Sequence, residues 1–249
     1  MNNPFSLFEK KIFVTGASSG IGNSIAIESA KMGAKVIITG RNAERLNDTF
    51  CQLQGEEHGQ LVADLTKPED IDRIVEQLPS LDGLVLNAGI LKTLPVKNLT
   101  NVAIDEVFNT NILSSIHLVQ KLLKNKKINK GASIVFISSI SSFSVKKGNS
   151  LYSATKGAIN SFMKVLALEL ASQKITVNSI QPGFIKTRAL DSGIITDEQL
   201  EEHFKIYPLG IGKPTDIAYA CIYLLSDAAE WVTGSVFTID GGVTSNGGH

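Results

Sequence analysis

Tyr152 and Lys156 stand four residues apart in a segment of helical character, so one helix face carries both a phenol and an ammonium. A free phenol titrates near pH ~10, and bringing it to about 7 takes roughly 4 kcal/mol of preferential phenolate stabilisation. A neighbouring ammonium acts in that direction, and a partly dry cleft strengthens its field. Taken alone, the pair is also what an ordinary exposed helix face looks like. Its chemistry depends on what the rest of the chain brings to it. A second constellation is Thr15-Gly16-Ala17-Ser18-Ser19-Gly20-Ile21-Gly22, which follows a β-branched run and opens a helical one. Glycines there permit a tight turn and the close approach of a pyrophosphate, held by free amides and the positive end of a helix dipole. By itself such a turn is equally a plain strand-to-helix connection.

The elements that must carry these groups are legible as an alternation. Short β-branched runs at 11–15, 35–39, 60–63, 83–86, 133–138, 176–180 and 235–239 predict seven strands. Most are continuously apolar, as strands of a parallel sheet are when helices cover both faces. Between them, helices are predicted over 21–32, 43–53, 68–78, 104–124, 153–172 and 214–225, with Pro68 and Pro214 suited to first turns. No Pro/Gly/Ser-rich stretch divides the pattern, so one doubly wound α/β domain over 1–249 is expected rather than two.

Composition narrows the partners. Hydrophobic residues make up 43% and charged residues 19% of the 249, an ordinary globular balance. Lys plus Arg equals Asp plus Glu at 24 each, so no general field gathers nucleic acid. The basic run 121–130 alternates with Leu and Ile and reads as the solvated end of a helix. Cys51 and Cys221 suggest neither a disulfide framework nor a zinc site, which fits a reduced, cytoplasmic setting. His58, His117, His203 and His249 lack metal-ligand spacing, and no metal is expected. The first residues lack the pattern of a signal peptide, and no apolar run approaches membrane-spanning length.

Four ordered motifs make a family resemblance specific. TGASSGIG at 15–22, Asn87-Ala88-Gly89, Tyr152-Ser-Ala-Thr-Lys156 and Pro182-Gly183 resemble the motifs of the short-chain dehydrogenase/reductase family, in the same order, over residues 11–242. The resemblance implies a Rossmann-type sheet and a nicotinamide dinucleotide. Gly16, Ser18, Ser19, Gly20, Ile21 and Gly22 would cradle its pyrophosphate, Asp64 and Leu65 its adenine. Asn87, Ala88 and Gly89 would end a central strand beside it, and the turn Pro182, Gly183, Ile185, Thr187 would reach the carboxamide. Tyr152 would exchange a proton with the substrate oxygen, aided by the cationic ring of oxidised cofactor. Lys156 would also bond the nicotinamide ribose. Ser139, thirteen residues before Tyr152, matches the substrate-binding serine, with Ser138 and Ser141 as neighbours; Asn111 matches the asparagine that steadies a water relay from the lysine.

Cofactor choice should depend on the residues after the second strand. Gly40 stands where an acid would repel a 2′-phosphate, and Arg41 follows. A guanidinium makes charge-assisted bonds to phosphate, so NADP(H) is favoured over NAD(H). The small-molecule carbonyl or alcohol substrate would be chosen by a loop over 188–212, with 91–98 and 143–150, above a mainly apolar pocket. The chain also resembles 3-oxoacyl carrier-protein reductases, whose paired arginines would fall on Lys130 and Gln173, so one cation is left. Three readings stand: an NADPH-dependent carbonyl reductase, an NAD-dependent alcohol or sugar dehydrogenase, and a cofactor-binding sensor without turnover. The sensor has no need for Tyr152 and Lys156 together. Helices 104–124 and 153–172 resemble those that pair between subunits, which implies a homotetramer or at least a dimer. Trp231 reads as core or subunit contact.

Overall fold

The computed structural model of the chain describes residues 3–187 and 206–245. Strands β1 (Lys11–Thr15), β2 (Lys35–Gly40), β3 (Gly59–Val62), β4 (Leu81–Leu86), β5 (Ile128–Ile137), β6 (Thr176–Pro182) and β7 (Val236–Ile239) pair in parallel, in the order β3-β2-β1-β4-β5-β6-β7. Helices α1 (Gly20–Lys31), α2 (Ala43–Phe50), α3 (Pro68–Gln77), α4 (Asn101–Phe108), α5 (Ser114–Lys124), α6 (Ser150–Leu170) and α7 (Pro214–Leu225) connect and flank them.

Neighbouring residues of a strand point to opposite faces, and here both faces are dry. Ile12, Val14 and Val85 pack with Ile25 of α1 and Ile217 of α7 on one side. Phe13, Leu84 and Phe136 pack with Leu118 of α5 and Met163 of α6 on the other. The continuously apolar runs of the sequence are the consequence of this two-sided burial. The strand order reverses between β1 and β4, so their carboxyl ends flank the crevice where open α/β sheets bind ligands.

Helix starts follow local chemistry. Asn42 caps α2 by accepting from the Arg45 amide at 2.8 Å, Thr100 caps α4 through the Ala103 amide at 3.2 Å, and Pro68 and Pro214 open α3 and α7. One expected helix is corrected. In place of an unbroken 104–124 there are α4, a π-helical turn over Asn109–Leu113, and α5. The widened turn coincides with Asn111, whose side chain is committed to another loop. The helix expected over 153–172 begins earlier, at Ser150, so Tyr152 lies inside it.

Trp231 is 96% exposed, which removes the core reading and leaves that of a contact surface. Residues 188–205 of the expected substrate loop lie outside the described residues. Its remainder returns to the sheet: Phe184 N donates to the Tyr207 hydroxyl at 3.0 Å and Lys186 N to the Gly212 carbonyl at 2.8 Å.

Candidate active site

The glycine loop is built by close packing at the end of β1. Gly16 has φ 64°, and a Cβ there would lie 2.8 Å from the Ala88 Cα; a Cβ on Gly22 would lie 2.4 Å from the Gly16 carbonyl oxygen. Only glycine allows the loop to press against β4 and the first turn of α1 to press against the loop. Asn87 locks the contact, its side-chain amide donating to the Thr15 and Gly16 carbonyls, both at 3.1 Å. Thr15 Oγ1 in turn accepts from the Asn87 amide at 3.0 Å and donates to the Val85 carbonyl at 3.2 Å. Asn87 therefore holds the central strands together, whatever else it touches.

A cleft of about 420 Å³ opens above this floor. Gly16, Ser18, Ser19, Gly20 and Ile21 line one end; Arg41, Asp64 and Leu65 the far wall; Asn87, Ala88, Gly89 and Thr187 the near one. The Ser19 hydroxyl does not cap α1, and no acid occupies its first turn, so the helix-start amides are open to an anionic ligand. The predicted Gly22, Tyr152, Lys156, Pro182, Gly183 and Ile185 do not line the cleft. Pro182 ends β6, Gly183 packs against Asp240 and Ile185 against the α1/α7 core.

At the outer end the cleft is cationic. Arg41 and Arg45, one turn apart at the start of α2, both line it. Arg45 escaped the sequence reading, although its spacing from Arg41 and the Asn42 cap between them were available signals. A Cβ at Gly40 would lie 3.1 Å from the Ser18 Cβ, tighter than ordinary contact. An acid at that position is thus opposed by space as well as absent from the sequence. Asp64 accepts from the Thr66 amide at 3.0 Å and hydroxyl at 2.7 Å through one oxygen, and its own amide donates to Asp70 at 2.7 Å. Arg73, together with that amide, holds the Asp70 carboxyl below the usual range. The turn role of Asp64 is real, and its second oxygen takes no partner among the described residues.

The reacting groups meet behind Gly89. Lys156 is buried, donates to the Ile137 carbonyl at 2.7 Å and sits 5.5 Å from the Tyr152 ring centroid. Burial lowers its pKa from 10.5 to about 8. The Tyr152 phenol is pushed up by burial, and a hydrogen bond from Ser139 opposes the rise. The acidic phenol expected from the sequence is therefore not produced by the polypeptide alone, because burial outweighs the Ser139 bond. Ser139 is the serine at the phenol. Its neighbour Ser138 is turned away, donating to the Lys156 carbonyl at 3.0 Å, and the Ser141 amide donates to Ser139 Oγ, which caps the short turn that follows.

Asn111 is fully buried. Its Oδ1 accepts from the Ile90 amide at 2.7 Å, and its Nδ2 donates to the Ile90 carbonyl at 2.9 Å and to Thr155 at 3.2 Å. A Cβ on Gly89 would lie 3.4 Å from Asn111 Oδ1 and 3.6 Å from Lys156 Nζ, so both groups stand within ordinary contact of a residue that lines the cleft. Asn111→Ala should strand both backbone groups of Ile90 and cost about 2 kcal/mol or more, read as a lower denaturant midpoint. An unchanged midpoint would show that the three bonds add nothing.

A cleft at the strand-order reversal, with a buried lysine behind its Gly89 wall, a phenol beside that lysine and a serine bonded to the phenol, defines an oxidoreductase acting on alcohol and keto groups. The chain belongs to the short-chain dehydrogenase/reductase family: a family model described as enoyl-(acyl carrier protein) reductase matches residues 16–244. It is 36% identical to the 3-oxoacyl-[acyl-carrier-protein] reductase FabG of Rickettsia bellii, over 92% of this chain and 95% of that one. It is 34% identical to the versicolorin reductase of Emericella nidulans, over 96% and 97%. A solved structure from Agrobacterium tumefaciens, provisionally named a 2-deoxy-D-gluconate 3-dehydrogenase and containing bound NADP, superposes with a TM-score of 0.88 at 31% identity, covering 98% of this chain and 100% of that one. Among the described residues, no helix is long and apolar enough to cross a membrane.

Proposed function

We propose that the protein is an NADPH-dependent carbonyl reductase, working in a cytoplasmic setting and interconverting a ketone and a secondary alcohol. The observation that carries this reading is the junction at Gly89, where the cleft meets Asn111 and the Lys156 ammonium. Cofactor cleft and reacting groups share one wall. The loop from Gly16 to Gly22 would hold the pyrophosphate, Asp64 and Leu65 the adenine, and the turn from Pro182 to Thr187 the carboxamide. When bound, the nicotinamide supplies the hydride and, in its oxidised form, the positive charge that acidifies the phenol. Tyr152 gives its hydroxyl proton to the substrate oxygen while the Ser139 hydroxyl steadies the charge developing there. Lys156 has two further N–H donors for the ribose, and Asn111 steadies the water relay that leads from the lysine to solvent.

The test is a titration of both cofactors followed by a ketone panel, with loss of NADPH absorbance as the readout. Tighter binding of NAD than of NADP would favour the alcohol or sugar dehydrogenase instead. The lack of an acid at Gly40, Arg41 in the cleft wall and the NADP bound in the Agrobacterium relative support the phosphorylated cofactor. Arg41→Ala should weaken NADP binding about 10- to 100-fold, the worth of a charged hydrogen bond, and leave NAD binding unchanged. Equal losses for both cofactors would remove Arg41 from phosphate recognition.

A second reading, 3-oxoacyl carrier-protein reductase, is favoured by the 36% identity to the Rickettsia enzyme. Lys130 and Gln173 are both exposed, so an acidic carrier would meet a single cation there. A kcat/KM for 3-oxoacyl thioesters far above that for simple ketones would select it. A homotetramer, or at least a homodimer, is part of the proposal, because Val165 and Leu168 stand exposed on α6 and Leu113 on the π turn. Sedimentation at micromolar concentration should find two or four chains together; monomer alone would overturn this.

A further inference from the structure

We propose that Ser142 is a positioning residue for Ser139, fixing the serine hydroxyl against the Tyr152 phenol through bonds that reach three separate elements. This rests on the reductase reading for its kinetic consequences, and on the fold alone for its geometry. Ser139 sits at the start of a 3₁₀ turn over Ile140–Ser142. Its Oγ accepts from the Ser141 amide and its carbonyl from the Ser142 amide, both at 3.1 Å. So short a turn has no stability of its own, and its orientation must come from where its far end is tied.

That end is tied by Ser142. The side-chain amides of Gln181 on β6 and Asn160 on α6 both donate to Ser142 Oγ, Asn160 at 3.3 Å. Each amide is itself oriented from behind. The Ser179 hydroxyl donates to Asn160 Oδ1 at 3.0 Å and the Thr238 hydroxyl on β7 to Gln181 Oε1 at 3.3 Å. Every donor in the chain thus points towards Ser142, and bonds aligned in this way polarise one another. Gln181 is 4% exposed and Ser179 fully buried, so the inner end of the network is dry. Asn160 follows Tyr152 and Lys156 at the same four-residue spacing, on the same face of α6. The helix that carries the phenol therefore also holds the turn that carries the serine, and the distance between the two hydroxyls is set by one rigid element.

Ser142→Ala removes the acceptor, leaves a buried Gln181 amide unpaired and frees the turn. The expected result is a kcat about 10- to 100-fold lower, the size of effect that a small misplacement of a reacting group produces, with NADPH affinity unchanged. A reporter independent of turnover is the phenolate absorbance of Tyr152, isolated by subtracting the titration of Tyr152→Phe. Because the Ser139 bond is what lowers this phenol, its titration midpoint should move up in Ser142→Ala and return in Ser142→Thr, which keeps the oxygen. Asn160→Ala removes the second donor to Ser142 without adding a charge, so it should move the midpoint the same way by less, and it stands in should Ser142→Ala not fold. A wild-type midpoint in both variants would overturn the proposal. Absence of turnover in the wild type with every ketone would instead overturn the reductase reading, and the midpoint shifts would still decide the role of Ser142.

Discussion

Tyr152→Phe is expected to lower kcat by about 10²- to 10⁴-fold, the contribution of a positioned general acid, without weakening NADPH binding. The hydroxyl is the only group removed. The ring stays half-buried on α6, and the ammonium beside it keeps its bond to the Ile137 carbonyl. Cofactor binding measured by fluorescence should therefore be intact while ketone-dependent NADPH oxidation disappears. A variant that still turns over at a tenth or more of the wild-type rate would mean that another group protonates the substrate oxygen, and Ser139 would be the next candidate.

Lys156→Met has the second large effect, and it runs in two directions. Activity should fall by at least as much as in Tyr152→Phe, because ribose recognition and the proton path are lost together. Stability without cofactor should rise. The buried ammonium titrates at about 8 against 10.5 when unfolded, so below pH 8 the fold carries a charge it would rather shed. That penalty is of order 3 kcal/mol. The unfolded chain binds more protons than the native one between the two values, so the wild type gains stability from this group as pH rises through that window. The advantage of Lys156→Met should be greatest below pH 8 and shrink above it. Denaturant unfolding at several pH values checks the sign; a lysine variant less stable than wild type at neutral pH would show that the bond to Ile137 outweighs desolvation. The same titration predicts that NADPH affinity weakens above pH 8, as the ammonium that would bond the ribose loses its proton.

Much of this was legible before any coordinate. β1 at Lys11–Thr15 and α7 at Pro214–Leu225 fall where the β-branched run and the opening proline put them, since both signals are local. The glycine loop was readable because steric demand leaves only one residue type at Gly16 and Gly22. What escaped depends on contacts far apart in the chain. The π turn at Asn109–Leu113 answers to Ile90, and no periodicity within the helix announces it. Arg45 reaches the cleft only because α2 starts at Asn42, and the tie from Ser142 to Gln181 joins residues thirty-nine apart. The absence of an acidic phenol in the polypeptide alone could not be read from a four-residue spacing, because spacing fixes a helix face and not how deeply the hydroxyl is buried.

The contact between Gly40 and Ser18 constrains the order in which cofactor use could change. Introducing an aspartate at 40 on the present background forces its Cβ against that of Ser18, so the single substitution meets a steric barrier before it gains a ribose acceptor. Truncation of Ser18 to alanine would remove the Oγ, 3.2 Å from the new Cβ, and leave the Cβ contact at 3.1 Å. A smaller residue at 18, arriving first, eases the contact, which couples the two sites and favours an exchange of dinucleotides in two steps over one.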